Sequence, residues 1–380
     1  MGMVGGGKGA FIGAVHRMAA ALDGEIELVC GAFSQDPSRS VESGRILGLD
    51  DNRIYGNYQQ MFAREARLPK DEAMEFVVIV TPNHLHFPIA CAALEAGFHV
   101  LCDKPATSKL SDAETLQDLI GQTGKLYGLT YSYSGYPMVE EARQRIASGQ
   151  FGKIRRIMVQ YAQGWLSKAV EKSGNKQAIW RLDPDQAGQS CCMGDIGTHA
   201  FHLAEYVSAM RVSEICADIG PSVADRVLDD DGTVLLRFTN GARGSLMASQ
   251  ICVGEENALK LQIYGEEGSL NWSQQEPNTL ILKWHDRPHE IIRSGGVGLS
   301  RPAQAMCRLP AGHPEGYLEA FANIYRAFAD GIRQFPERGE LNFPGIDDGV
   351  RGMKFVETVV TSSSSDQKWF SLNSIKGEYK

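Results

Sequence analysis

The chain has 380 residues, 43% hydrophobic and 22% charged, with a formal net charge of −8. That length predicts two domains, because single cores rarely grow past about 250–300 residues, and the composition allows a sizeable core. The acidic excess argues against non-specific nucleic-acid binding, and no apolar run reaches the roughly 18 residues that cross a bilayer.

The N-terminus MGMVGGGKGAFIGAVHRMAAAL holds a short apolar run, a glycine cluster and then apolar residues at helical period. Glycines permit a tight turn and close approach of the backbone to a ligand, and the following helix aims its N–H groups at a phosphate. Gly5, Gly7 and Ala10 give an imperfect match to GxGxxG/A, which alone is weak evidence. Only Met1 to Val4 precede the glycines, as expected if native residues are missing ahead of them. The order of a secretory signal is absent.

A buried strand is predicted over EIELVCGAF (25–33), followed by a turn and helix start at SQDPSRS. EFVVIVTP (75–82) reads as another strand, HFPIACAALEAG (86–97) as a helix stopped by Gly97, and FHVLCDKP (98–105) as a strand. SDAETLQDLIGQTG (111–124) is expected to be a helix capped by Ser111 with Glu114 at capping-box distance. KLYGLTYSY (125–133) closes the series. Alternating strands and helices imply right-handed crossovers and a parallel sheet, with ligands beyond the strand C-termini, where TPN and DKP lie. This pattern is that of a Rossmann dinucleotide-binding domain. Its second strand ends without the usual acid; Ser34 takes that place, with Asp36 and Arg39 nearby. Serine neither chelates a ribose diol nor repels a 2′-phosphate, and Arg39 could bind one, so the choice between NAD and NADP stays open with a slight lean to NAD.

Beyond residue 131 the texture changes. A helix and an alternating strand lie in the stretch ending at Gly164, and a hairpin is predicted around Asn240-Gly241. A further turn falls at 266–268, and NTLILKW gives another strand. Residues 165–190, roughly 285–312 and the tail look unstructured. The expected division is a dinucleotide-binding domain over 1–130 and an α+β domain over 131–380, with 345–363 packing back on the first. The eight cysteines (30, 91, 102, 191, 192, 216, 252, 307) show no CxxC spacing, which predicts free thiols in a soluble, cytoplasmic protein.

The chain resembles the Gfo/Idh/MocA family of nicotinamide-dependent oxidoreductases over nearly its whole length. The resemblance rests on the glycines at 5–9, TPNHLH (81–86), DKP (103–105) and GDIGTH (194–199). WRLDPDQAG (180–188), GHPEGYLEAFANIY (312–325) and PGIDDGV (344–350) are similar to segments of one branch. It implies an α/β architecture: a Rossmann domain plus a domain with a large open-faced, mostly antiparallel sheet. It also implies sugar, inositol or polyol substrates, or glycoside cleavage through transient oxidation.

Oxidising a secondary alcohol needs a hydride acceptor, a base and stabilisation of the developing alkoxide. Lys104, at a strand end facing the cofactor cleft, is expected to orient the reacting oxygen. The family motif is Glu-Lys-Pro with a catalytic lysine; here Asp103 replaces the glutamate. His199 is the expected base, since an ordinary histidine pKa near 6.5 suits proton transfer near neutrality. Asp195, four residues earlier, would orient the imidazole or bind a neighbouring hydroxyl. A purely structural alternative makes Asp195 a helix cap and His199 a core residue. A metal alternative joins Asp195, His199 and His202 at i, i+4, i+7, but nicotinamide chemistry needs no metal there, so none is expected.

Gly5, Gly7, Lys8, Ala10, Phe11, Ile12, Ser34, Arg39, Thr81, Asn83, His86, Asp103 and Lys104 are expected around the dinucleotide. Tyr133, Trp180, Arg181, Asp195, His199 and His313 are expected around the substrate, with Tyr131 and Asp183 nearby. Lys168, Lys172 and Lys176 either form a solvated face or attract an anionic sugar. A homo-oligomer is the expected assembly, with no nucleic-acid or membrane partner. The competing functions are a redox-type glycosidase, using the same residues, and a non-catalytic ligand sensor.

Overall fold

The structure is a computed structural model that describes residues 1–336 and 341–372. Contacts divide the chain into two units. Unit 1 comprises Met1–Ser132 and Phe321–Met353; unit 2 comprises Tyr133–Ala320 and the chain from Lys354 onward.

Unit 1 is built on five parallel strands in the order β2-β1-β3-β4-β5. They are β1 (Gly2–Gly5), β2 (Cys30–Ala32), β3 (Phe76–Val80), β4 (His99–Cys102) and β5 (Tyr127–Leu129). The run FVVIV of β3 is buried at every residue, as a strand covered on both faces must be. Helices α1 (Phe11–Ala21), α2 (Pro37–Ile46), α3 (Tyr58–Glu65), α4 (His86–Glu95) and α5 (Leu110–Thr123) connect the strands. Gly97 follows α4 with φ +92, the left-handed stop that the sequence predicts.

Two details differ from expectation. β2 is three residues long instead of spanning 25–33, because its neighbour β1 pairs from Gly2 to Val4; before it, Val29 N reaches Met1 O at 3.0 Å. Ser111 is not a cap. The helix starts one residue earlier, at Leu110, with Lys109 at the N-cap position and no side-chain cap.

Unit 2 carries nine strands in the order β13-β12-β11-β10-β6-β9-β8-β7-β14. These are β6 (Arg156–Ala162), β7 (Val212–Gly220), β8 (Asp231–Phe238), β9 (Arg243–Ser249), β10 (Ala258–Tyr264), β11 (Gly268–Ser273), β12 (Thr279–Trp284), β13 (Glu290–Arg293) and β14 (Phe370–Ser371). Only the central β6–β9 ladder is parallel among them. Burial alternates along β8, as in a sheet with one covered face. The predicted hairpin joins β8 to β9, with Gly241 at φ +88. Helices α6 (Pro137–Ala147) and α9 (Thr198–Ser208) cover the inner face: Met138 and Val139, Phe201 and Leu203 pack with Ile157, Leu236, Leu246 and Leu261.

The stretches read as unstructured contain elements. Between 165 and 190 lie α7 (Lys176–Arg181), capped by Asn175, and α8 (Pro184–Ala187), capped by Asp183. Leu166, Ala178, Cys191 and Leu228 give this region its own small core. The 285–312 stretch holds β13 and α10 (Arg301–Met306), capped by Ser300. Two long helices, α11 (Tyr317–Arg333) and α12 (Ile346–Ser363), each begin in one unit and end in the other.

Candidate functional site

In unit 1 the glycine loop turns sharply between β1 and α1. Gly5, Gly6 and Gly9 all have positive φ (+87, +70 and +84), which side chains rarely adopt. A Cβ on Gly7 would stand 2.7 Å from Phe33 O, so this residue must be bare where the loop passes β2. Lys8 N donates to Ser43 Oγ at 3.1 Å, tying the loop to α2, while the Lys8 ammonium pairs with Glu42 in solvent. Ala10 sits at the N-cap of α1 and offers no side chain to the first helical N–H groups. Those groups, at the positive end of the helix, suit a pyrophosphate. The loop therefore fits a dinucleotide, with Phe11 and Ile12 opening the helix and Phe11 70% exposed.

Gly13, and not Ala10, takes the part of the third glycine. A Cβ on Gly13 would lie 2.4 Å from Gly6 Cα and 2.6 Å from Gly6 O, so Gly13 is the residue that lets helix and loop pack closely. Gly13→Ala pushes a methyl group against the Gly6 backbone. It is expected to cost about 3 kcal/mol of stability and to weaken NADH binding, read by urea unfolding and by fluorescence titration.

At the end of β2, Ser34 Oγ accepts from Asp36 N at 3.2 Å, and the Asp36 carboxylate accepts from Ser38 N and Arg39 N. The Ser38 hydroxyl, donating to the same carboxylate at 2.6 Å, and then those two backbone bonds hold its pKa below the usual carboxylate value. Asp36 thus serves as the cap of α2, and the Arg39 side chain is exposed.

At the ends of β3 and β4, Thr81 stands against the glycine loop: a Cβ on Gly5 would meet Thr81 Cγ2 at 2.9 Å. Asn83 is half-buried at the start of a short 3-10 turn. His86 is buried, with Nδ1 2.7 Å from Pro105 O and Nε2 2.8 Å from Thr81 O. Both nitrogens face backbone carbonyls of the TPN and DKP loops; burial pushes the ring's pKa down, and a neutral ring donates to one of the two. Asp103 accepts from Lys104 N and from Thr130 Oγ1, both at 2.9 Å. Its Oδ1 also lies 4.0 Å from Nε2 of His16, a fully buried ring on α1 whose Nδ1 is 2.7 Å from Tyr325 OH. Burial lowers the His16 pKa to about 4 and keeps it neutral. Lys104 is half-buried directly after this anchored aspartate.

Unit 2 holds the other residues. GDIGTH does not form plain α-helix. Met193–Gly197 make a π turn that runs into α9, closed by Thr198 N donating to Met193 O. Turns of this kind concentrate at functional sites. A Cβ on Gly197 would stand 2.8 Å from Met193 Sδ, so a larger residue there would have to displace that side chain. Asp195 is not the cap. Buried Asp229 takes that part, accepting from Cys191 N at 3.0 Å and Met193 N at 2.8 Å. Ser190 Oγ accepts from Gly194 N at 3.0 Å. Burial raises the Asp229 pKa against those bonds.

Asp195 Oδ2 accepts from Arg181 Nε and from Gln250 Nε2, both at 3.1 Å. The guanidinium lies over the Trp180 ring, 4.2 Å from its centroid. His199, 8% exposed, meets the Tyr133 ring edge-to-face at 4.8 Å. Tyr133 OH is bonded to Tyr161 OH, which donates to Asn257 Oδ1 at 2.6 Å; Asn257 Nδ2 returns to Tyr133 OH at 3.0 Å. Arg181 and Trp180 are thus gathered at Asp195, and Tyr133 at His199. Gln163, Gln250, Asn257 and Tyr161 join them unannounced by any motif.

Other expected neighbours have different places. His313 is exposed, its Nδ1 3.3 Å from Pro310 O. Asp183 caps α8, and Tyr131 is buried in the core of unit 1. Lys172 pairs with Asp225 at 2.8 Å, which weakens the case for an anion-attracting face. His202 stacks on Tyr206, and among the described residues no group of three His, Cys, Asp or Glu is arranged to hold a metal.

Comparison with known proteins agrees with this architecture. The family described as "Oxidoreductase family, NAD-binding Rossmann fold" matches residues 1–131, and "GFO/IDH/MocA C-terminal domain" matches 139–271. "Uncharacterized oxidoreductase YfiI" of Bacillus subtilis (strain 168) is 35% identical over 97% of this chain and 95% of its own. Levoglucosan dehydrogenase of Pseudarthrobacter phenanthrenivorans is 25% identical over 99% and 98%. An inositol dehydrogenase homolog from Azotobacter vinelandii, solved with NAD+, superposes with a TM-score of 0.93 at 37% identity, covering 97% of this chain and 96% of that one. A second structure of that homolog, with NADH and myo-inositol, gives 0.89 at 36% identity, covering 97% and 96%. With an NAD-binding Rossmann domain followed by the matching C-terminal domain, the chain belongs to the Gfo/Idh/MocA family of oxidoreductases.

Proposed function

We propose that the protein oxidises one secondary hydroxyl of a neutral cyclic polyol, an inositol or a related sugar, with NAD. The observation that carries this reading is the polar wall of unit 2. Arg181, Asp195, Gln250, Gln163, Asn257, Tyr161 and Tyr133 form one hydrogen-bonded series beside His199. Amides, phenols and a charge-paired carboxylate suit a ligand rich in hydroxyls better than an anion. The myo-inositol complex of the Azotobacter homolog supports the same substrate class.

The glycine loop, Thr81 and the N-terminus of α1 would hold NAD, which supplies a hydride acceptor when bound. His199 takes the hydroxyl proton, Lys104 stabilises the oxygen as charge develops, and Asp195 fixes a neighbouring hydroxyl. We further propose a cytoplasmic homo-oligomer. All eight cysteines are free, and Leu235 and Ile291 are exposed on strands β8 and β13. Among the described residues no helix is long and apolar enough to cross a membrane.

The test mixes purified protein and NAD with myo-inositol, other inositols, glucose, levoglucosan and uronates. Steady growth of reduced-nicotinamide absorbance with a neutral polyol is expected. Glycoside cleavage that needs NAD without net NADH would replace this reading with the redox-glycosidase one. Ligand-induced stabilisation without turnover would point to a sensor.

A further inference from the structure

We propose that Gln163 is a positioning residue: one hydrogen-bonded chain through its amide sets both Asp195 and the tyrosine that carries His199. The inference rests on the proposed roles of Asp195 and His199. Gln163 follows β6, Gln250 follows β9 and Asn257 precedes β10, and these strands are neighbours in the sheet. Gln163 Nε2 donates to Asn257 Oδ1 at 2.7 Å, while its Oε1 accepts from Trp165 Nε1 at 2.9 Å and from Gln250 Nε2 at 3.4 Å. Gln250, fully buried, donates its other N–H to Asp195 Oδ2.

The directions of these bonds are fixed by chemistry. Trp165 Nε1 is a donor only, so the Gln163 oxygen must face it and its NH2 must face Asn257. Asn257 Oδ1 then accepts, which leaves its NH2 to donate to Tyr133 OH. Tyr133 in turn donates to Tyr161, and Tyr161 to Asn257, closing a ring of three side chains. Rotating the Gln163 amide would set its oxygen against Asn257 Oδ1 and its N–H groups against the Trp165 and Gln250 donors, and rotating Asn257 would set its NH2 against that of Gln163, each a costly arrangement in a part-buried site. The chain has one register. Asp195 at one end receives a donor, and Tyr133 at the other holds a fixed face toward His199. Backbone bonds brace the same strand ends: Gln163 N to Ser249 O at 2.8 Å and Cys252 N to Gln163 O at 2.9 Å.

The experiment compares wild type with Gln163→Leu, Gln163→Glu and His199→Gln on the polyol found above. Gln163→Leu is expected to lower kcat about 100-fold through misplaced groups, with NADH binding unchanged. Gln163→Glu keeps both acceptor bonds but cannot donate to Asn257. It also sets a second negative charge near Asp195, whose charged or titratable neighbours include Arg181, Cys191, Cys192, Tyr133 and Tyr161. Added negative charge favours the protonated imidazole, so the acidic limb of its kcat profile, which His199 sets, should move to higher pH. A merely structural glutamine would change the amount of folded protein, read by circular dichroism, and leave that profile in place. Wild-type kcat and an unmoved limb in folded Gln163→Glu, with His199→Gln inactive, would overturn the inference alone. Full activity in His199→Gln would remove the reading beneath it.

Discussion

Lys104→Met is expected to lower kcat by about 100- to 1,000-fold, the usual loss when a donor to a developing oxyanion is removed. Methionine keeps most of the side-chain length and deletes the charge, so packing changes little. The backbone at this point is held independently of the ammonium. Asp103 Oδ1 accepts from Lys104 N and Thr130 Oγ1, and the buried His86 ring sits between Pro105 O and Thr81 O. NADH affinity should therefore stay close to wild type in a fluorescence titration, which separates lost chemistry from lost folding. A parallel Asp103→Asn variant keeps an acceptor for both bonds and should lose far less activity. Wild-type kcat in Lys104→Met would withdraw the catalytic role from this lysine.

How much of this was legible in the sequence depends on the distance over which each feature is decided. The unbroken apolar run of β3 and the alternation of β6 are local, and both strands form where their patterns predict. The Asn240-Gly241 turn is likewise local, and it closes the β8–β9 hairpin. Phase within the glycine cluster was not legible. Several alignments of Gly5, Gly6, Gly7, Gly9, Ala10 and Gly13 satisfy a short pattern, and only the close approach of Gly13 to Gly6 selects one. Asp183-Pro184 did carry a helix-start signal, a capping carboxylate before a proline at N1, that outweighed the loop-like texture around it.

The amide chain belongs to a third class. Gln163, Gln250 and Asn257 lie far apart in sequence, and single glutamines and asparagines have no signature. They meet because β6 pairs in parallel with β9 on one side and antiparallel with β10 on the other. Nothing in the three strands' own sequences announces that order. Asp195 illustrates the same limit. Its spacing from His199 was visible, but the π turn that carries it, and the capping of that turn by Asp229 from a distant loop, are tertiary facts.

His199→Gln is expected to reduce kcat by about 1,000-fold, within the range for loss of a positioned general base. The accompanying change in pH dependence is the sharper test. In the wild type, activity should fall as pH drops, because a protonated imidazole cannot take the hydroxyl proton. In the variant that histidine limb should vanish and the residual rate should rise toward alkaline pH, where hydroxide replaces the base. Asp195→Asn makes the complementary point. An amide oxygen can still accept from Arg181 or Gln250, but the charge opposite a largely buried guanidinium is gone. Its kcat should fall with the histidine limb still present, since the base itself is retained. The double variant should be little worse than His199→Gln alone, because residues acting on one transition state are not additive. Losses that multiply in the double variant would mean that the two side chains serve separate steps and do not act on one transition state.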